Sequence, residues 1–244
     1  MDDPVIVVND VSMMFNLNRD KVLGLKEYVV KAALKQLHYD EFWALTDISF
    51  EVKRGEVLGI MGLNGSGKST LLKLIAGVFK PTKGNIAVKG EIAPLLELGT
   101  GFDPEFSAKD NIFMNGAMFG HPPSYMEGIY EEIMNFAELW EFEDVPMKNF
   151  SSGMYARLGF AVATHVEPDV LIVDEILGVG DYQFNLKCAD RIDAMLSRGA
   201  TVLLVSHSAI TIKEMCNRAL LLERGKMICI GTVEDVAKVY EQGA

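Results

Sequence analysis

Gly62-Leu63-Asn64-Gly65-Ser66-Gly67-Lys68-Ser69-Thr70 decides the reading of this chain. It fits the pattern G-x-x-x-x-G-K-[ST], and its flanks suit it. Glu56-Val57-Leu58-Gly59-Ile60-Met61 reads as a buried strand, and Thr70-Leu71-Leu72-Lys73-Leu74-Ile75-Ala76 as a helix. Strand, glycine-rich turn and helix in that order make a cradle for nucleotide phosphates. The glycines let backbone N–H groups turn inward as a concave anion nest. The helix N-terminus adds its partial positive charge. On this reading Lys68 reaches the β- and γ-phosphates, and the Ser69 hydroxyl sits on Mg²⁺.

The bulk of the sequence is compatible with such a protein. With 244 residues, 49% of them hydrophobic, the chain can bury a substantial core in one large domain or two small ones. A net charge of −11 argues against nucleic acid as the main partner. Cys188, Cys216 and Cys229 are scattered, odd in number and without metal-ligand spacing, which points to reduced thiols in a cytosolic protein. Met1-Asp2-Asp3-Pro4 is acidic and leads straight into a strand-like run, so no signal peptide is expected. No apolar run approaches the ~18 residues of a membrane span. The expectation is a soluble protein, or one that meets a membrane only by docking there.

One segment runs against the acidic balance. Residues 19–37 carry Arg19, Lys21, Lys26, Lys31 and Lys35 against Asp20 and Glu27. Val22, Leu25, Val29, Ala32, Ala33, Gln36 and Leu37 recur with helical spacing. The segment reads as a basic helix inserted between two early strands, Val5–Phe15 and Ala44–Val52. It is either an ordinary solvated surface helix or an amphipathic one facing a membrane surface.

Further along, Asn85–Val88 and Glu91–Leu96 read as strands. Lys109–Phe119, Ser124–Trp140 and a segment from Ser151 read as helices. Val170–Val173 and Thr201–Val205 are apolar strands, with helices at Cys188–Leu196 and Ile210–Cys216. Ala219–Glu223 and Met227–Ile230 form a hairpin, and Val233–Tyr240 a closing helix. Alternating strands and helices imply an α/β fold with a mostly parallel sheet.

Three further elements carry chemistry. Val170-Leu171-Ile172-Val173-Asp174-Glu175 is a buried strand expected beside the phosphate-loop strand, ending in two carboxylates. Asp174 is placed to hold the metal, through water in the manner of Mg²⁺, and Glu175 to polarise an attacking water. Val205-Ser206-His207 puts a histidine at another strand end, within reach of a γ-phosphate. Phe150-Ser151-Ser152-Gly153-Met154-Tyr155-Ala156-Arg157 starts a helix with small residues. Alone it is a plain helix cap; in the company of the other elements it is an anion site built from N–H groups and hydroxyls.

Taken together, these elements resemble the nucleotide-binding subunit of an ABC transporter along essentially the whole length. Phe150-Ser151-Ser152-Gly153-Met154 with Arg157 matches the family's Leu-Ser-Gly-Gly-Gln signature. Asp174 and Glu175 match its Walker B Asp and catalytic Glu, Asp181 its D-loop Asp, and His207 its switch His. The signature departs from the family pattern, and the expected Q-loop glutamine is missing: Gln36, Gln183 and Gln242 are the chain's only glutamines. In Leu95-Leu96-Glu97-Leu98-Gly99-Thr100-Gly101-Phe102, Glu97 is the stand-in. These variants resemble the ATPases of polysaccharide, O-antigen and teichoic-acid exporters. Members of that subfamily also carry an N-terminal insertion with a Leu-Gly loop and a gate helix, which Leu23-Gly24-Leu25 and Lys26–Leu37 match.

The resemblance implies a single ABC ATPase domain, a P-loop NTPase. It would have a small antiparallel β-subdomain with the basic helix (about 19–37), a RecA-like core (about 53–105 and 166–244) and a helical subdomain (about 106–165). No C-terminal carbohydrate-binding domain is expected in a chain ending at Ala244. ATP would lie between the loop of one copy and Ser151, Ser152, Gly153 and Met154 of a second, head-to-tail copy. Phe15, or else Tyr39, would stack on adenine. An integral-membrane permease would receive the motion at the cytoplasmic face of the cell membrane. The other readings are a lipid or drug exporter ATPase, and a soluble ABC-type ATPase. A P-loop kinase or GTPase leaves Ser151–Arg157 unexplained, and the chain has no guanine-reading Asn-Lys-x-Asp.

Overall fold

The computed structural model describes residues 3–18, 39–94, 101–166, 168–174, 182–206 and 209–243. The expected basic helix at 19–37, Glu97, Glu175, Asp181 and His207 lie outside them, as do the side chains of Tyr39 and Asp174.

The chain opens with two long strands, β1 (Pro4–Asn18) and β2 (Tyr39–Lys53), paired antiparallel. With β4 (Lys83–Val88) they form a three-stranded antiparallel sheet in the order β2-β1-β4. A second sheet has six strands, drawn from β3 (Val57–Met61), β5 (Ile92–Pro94), β6 (Val170–Asp174), β7 (Thr201–Val205), β8 (Arg218–Glu223) and β9 (Lys226–Thr232). Its order is β5-β6-β7-β3-β8-β9, parallel throughout except for β9. The α/β class with a mostly parallel sheet is therefore correct. One detail of the sequence reading is corrected: β6 does not adjoin β3, because β7 lies between them. Sequence order does not encode strand adjacency in a parallel sheet, where every connection is a crossover.

The strict alternation of the central strands explains the two layers beside this sheet. Leu58, Ile60, Ile172, Leu203, Val205, Leu220 and Leu222 face a core shared with β1, β2 and helix α1 (Lys68–Ile75). Val57, Met61, Leu171, Val173, Val202, Leu204 and Leu221 face the other way. They meet α5 (Tyr182–Ser197), α6 (Ala209–Met215) and α7 (Val233–Gly243). Successive residues of a strand point to opposite faces, so unbroken apolar runs such as Thr201–Val205 serve both layers. Gly59 has a steric reason: a Cβ there would stand 2.8 Å from Ile212 and 3.0 Å from the Cys216 sulfur, so α6 could not pack so closely.

Between β5 and β6 a helical block is inserted: α2 (Ala108–Met118), α3 (Pro123–Ala137) and α4 (Ser152–His165). Each start has a local cause. Ser107 and Asp110 form a reciprocal capping box at α2. Pro123 opens α3, where its missing N–H costs nothing. Ser151 caps α4 by accepting from the Met154 N–H. The block has its own core, with Ile112, Met126, Ile133, Met134 and Leu158 fully buried. No helix among the described residues is long and apolar enough to cross a membrane.

The two sheets are stitched together beneath the loop at residues 62–70. The Gly225 carbonyl in the β8–β9 turn accepts from Thr46 of β2 (2.8 Å), and its N–H donates to the Ser66 carbonyl (2.9 Å). Gly225 has φ +77°, and a Cβ there would lie 2.5 Å from the Ala44 carbonyl. Gly199 also has a positive φ (+89°) but open space around it. Gly199→Ala is expected to cost about 1 kcal/mol, the left-handed penalty alone. Gly225→Ala is expected to cost about 3 kcal/mol, because the turn must also move away from β2. Equal costs in denaturant unfolding would show that the turn does not hold the loop.

Candidate nucleotide site

The loop at residues 62–67 leaves the C-terminal end of β3, and the register of the sheet fixes what stands beside it. Val205 of β7 pairs with Ile60 of β3 on one side and with Asp174 of β6 on the other. The ends of these three strands are therefore level, and the Asp174 backbone stands two strand spacings, about 10 Å, from Ile60. These C-terminal strand ends share one edge of the sheet, the usual ligand position in α/β folds. Ser206, buried at the end of β7, is the last described residue before His207.

The loop is held from below and open above. Gly62, Gly65 and Gly67 have φ of +148°, +78° and +108°. A Cβ on Gly62 would collide with the Leu222 carbonyl, and one on Gly67 would stand 2.7 Å from the Leu45 side chain. A Cβ on Gly65 would meet nothing within 4 Å, so the loop's crest is accessible. The Ser66 hydroxyl is buried without a hydrogen-bond partner among the described residues. Lys68 Nζ donates to the carbonyls of Gly62 (2.7 Å) and Leu63 (2.9 Å), which holds the ammonium across the loop. Gly67 at the N-cap offers no side chain to the first N–H groups of α1. Leu63, Asn64 and Ser69 are exposed.

This cradle fits a nucleotide's phosphates. An ammonium, uncapped helix N–H groups and inward-turning glycines are donors only, and they suit an anion. For a divalent cation that prefers oxygen donors, the exposed Ser69 hydroxyl is a candidate ligand among the described side chains. A cavity of about 180 Å³ lined by Arg54, Asp169 and Arg198 lies at the opposite, N-terminal ends of the strands, away from these groups.

Phe15 lies on β1, half-buried, its ring held edge-on by Phe79 at 5.8 Å. It is a fixed aromatic surface on the small sheet that packs against α1.

The small-residue helix start stands elsewhere. Ser151, Ser152, Gly153 and Met154 open α4, which packs against α2, α3, α5 and β5, whereas α1 packs against β2 and β4. Ser151 and Ser152 are exposed. The Ser151 hydroxyl serves as the cap of α4, so the plain-cap reading of this residue is realised; an accepting hydroxyl still has a proton to donate. A Cβ on Gly153 would approach nothing closer than 3.9 Å.

Two groups were not legible as functional in the sequence. One is Gly225, in the connection between the hairpin strands Ala219–Glu223 and Met227–Ile230. The other is Glu138, the C-cap of α3, in a left-handed conformation (φ +59°). Its carboxylate accepts from Lys187 of α5 (2.7 Å) and Arg157 of α4 (2.9 Å), and these two cations hold its carboxyl below the usual range. The thiols are free; burial pushes those of Cys188 and Cys216 up to about 12, so both are protonated and inert at neutral pH.

Comparison with known proteins agrees with this geometry. A family model described as "ABC transporter" matches residues 45–178. The O-antigen export system ATP-binding protein RfbB of Klebsiella pneumoniae is 40% identical over 242 residues, covering 98% of this chain and 98% of that protein. The teichoic acids export ATP-binding protein TagH of Listeria monocytogenes serotype 4b is 37% identical over 94% of this chain and 66% of its own length. Among solved structures, the dimeric post-hydrolysis state of the ATP-binding cassette MJ0796 bound to ADP and Pi superposes with a TM-score of 0.74. That match is at 19% identity and covers 93% of this chain and 98% of that one, which speaks to the fold. A family model spanning more than half the chain, and relatives aligned along nearly all of it, leave one conclusion: the chain belongs to the ABC transporter family.

Proposed function

We propose that this chain is the ATP-hydrolysing subunit of an exporter that carries a lipid-linked surface polysaccharide, of the O-antigen or teichoic-acid class, across the cytoplasmic membrane. The observation that carries this reading is the end-to-end match to an O-antigen export ATP-binding protein, 40% identical over 98% of both chains.

The roles follow the geometry and the family resemblance. Gly62 through Thr70 grip the triphosphate, with Lys68 neutralising the β- and γ-oxygens. Mg²⁺, held by Ser69 and Asp174, would screen the charge that develops as the phosphoryl group leaves. Glu175 polarises the attacking water, and His207 contacts the γ-phosphate and reports its presence. Glu97 takes the place of the missing Q-loop glutamine near the metal. Phe15 stacks on adenine.

Within one chain the phosphates are covered from one side only. The start of α4 packs in a different part of the molecule, so Ser151, Ser152, Gly153 and Met154 are assigned to the ATP of a second copy, together with Asp181. ATP is then the glue of a head-to-tail dimer, and hydrolysis weakens it. That opening and closing drives a permease subunit at the cytoplasmic face of the membrane. The division into a β-subdomain, a RecA-like core (about 53–105 and 166–244) and a helical subdomain (about 106–165) belongs to the same proposal. So does the assignment of residues 19–37 to the membrane surface, where basic charge is attracted to anionic headgroups.

Two outcomes are expected. Glu175→Gln should bind ATP normally, lose turnover by about 10²–10⁴-fold, and accumulate as an ATP-bound dimer in size-exclusion chromatography. Rapid turnover by this variant would remove Glu175 from the role. Neutralising Lys26, Lys31 and Lys35 together should reduce export in cells while leaving the ATPase of the purified chain in detergent near wild type. Equal loss of both would place the segment in the ATPase itself.

A further inference from the structure

We propose that Glu138 is a positioning residue for the shared ATP site. Its carboxylate ties α4 to α5, and so sets where Ser151–Met154 stand relative to the core that carries the phosphate loop. The inference rests on the shared-site reading above.

The backbone gives the first indication. Helix C-caps in the left-handed region are ordinarily Gly or Asn, since a longer side chain is strained there. Glu138 accepts that strain at φ +59°, which directs attention to its side chain. One carboxylate holds two cations from two different helices, Arg157 of α4 at 2.9 Å and Lys187 of α5 at 2.7 Å. Each cation also lies over an aromatic ring: Arg157 is 4.7 Å from the Phe184 centroid, and Lys187 is 5.3 Å from that of Phe136. Lys187 further donates to the Phe136 carbonyl at 3.3 Å. The two rings touch each other and Phe160. Arg157 and Lys187 are thus clamped between a carboxylate and a ring.

The clamp adds to the apolar packing of α4 on α5 a charged tie near the end of α4 that carries Ser151–Met154; at the far end of α4, Arg191 of α5 donates to the Thr164 carbonyl at 2.9 Å. Arg157 lies one and a half turns after Ser152 on the helix whose first residues carry the anion site. Lys187 lies on α5, whose Phe184, Cys188, Ile192 and Met195 are part of the main core. Apolar surfaces slide at little cost, whereas charged hydrogen bonds fix direction. An exposed ion pair contributes little to stability, and the Glu138 side chain is 54% exposed. The clamp's effect is therefore on where α4 points, not on whether the chain folds.

The test uses the full chain. Glu138→Gln keeps the shape and removes the charge; Glu138→Gly removes the side chain and relieves the strain. Both are expected to melt within about 3 °C of wild type and to turn over ATP about tenfold more slowly. Each is then mixed with excess Lys68→Ala chain, which is itself inactive but has an intact α4. Turnover should recover several-fold, because the Glu138 variant still contributes a sound phosphate loop. Gly153→Asp, which damages the anion site directly, is the control and should recover in the same mixture. Recovery by Gly153→Asp without recovery by the Glu138 variants overturns the positioning role and leaves the shared site standing. Failure of all mixtures to recover overturns both. Wild-type turnover by the Glu138 variants alone overturns the proposal outright.

Discussion

Everything in this molecule hangs on the level ends of three parallel strands. Val205 pairs with Ile60 and with Asp174 at the same height, so the loop from β3, Ser206 after β7 and the C-terminal end of β6 lie along one edge. Hydrogen-bond register, unlike side-chain packing, admits no partial shift: a slip would move residues in whole steps and turn their side chains to the other face. The loop gains a second fixed support from the Gly225 turn and from Ala44 and Leu45 of β2. A phosphate cradle must be rigid before its ligand arrives, because N–H groups that have to reorient lose the benefit of being aimed. The small sheet that supplies this support also carries Phe15, so in the proposed site one element would brace the phosphates and offer a surface for the base.

The charge balance argues for an incomplete site. One ammonium and one helix N-terminus, the latter equivalent to roughly half a charge, leave part of a triphosphate's charge facing solvent. The other helix start built of small residues, Ser151–Gly153, packs in the helical block and not beside α1. In the proposed dimer, a second copy turned head to tail would bring these two halves together. In this account nucleotide binding and subunit closure are one event, and the energy of ATP is coupled to movement because neither half closes the site alone.

Much of this was legible in the sequence, for reasons that differ from residue to residue. The phosphate loop was legible because its glycines and lysine are required by chemistry at fixed spacing. The strands Val170–Val173 and Thr201–Val205 were legible because a sheet covered on both faces demands unbroken apolar runs. The position of β7 between β3 and β6 was not, since crossover connections leave strand order open. The bracing role of Gly225 was not, because it depends on Ala44, far away in the chain. Glu138 was illegible for the same reason: a glutamate after Ala137 is ordinary until Arg157 and Lys187 are brought to it by the fold. Local rules reveal local chemistry, and the supports that make it work are made of distant contacts.

The central claim is that one ATP is held by two chains, and it can be read directly. Lys68→Ala chains labelled with heavy isotopes are mixed with unlabelled Gly153→Asp chains, so that only one kind of complete site can form. ATP carrying a photoreactive group on its γ-phosphate is then cross-linked, and the attached peptides are weighed. The account predicts that peptides from residues 62–70 come from the unlabelled chain and peptides from residues 151–157 from the heavy one. Cross-links to both regions within the same chain, or to residues 62–70 alone, would contradict it.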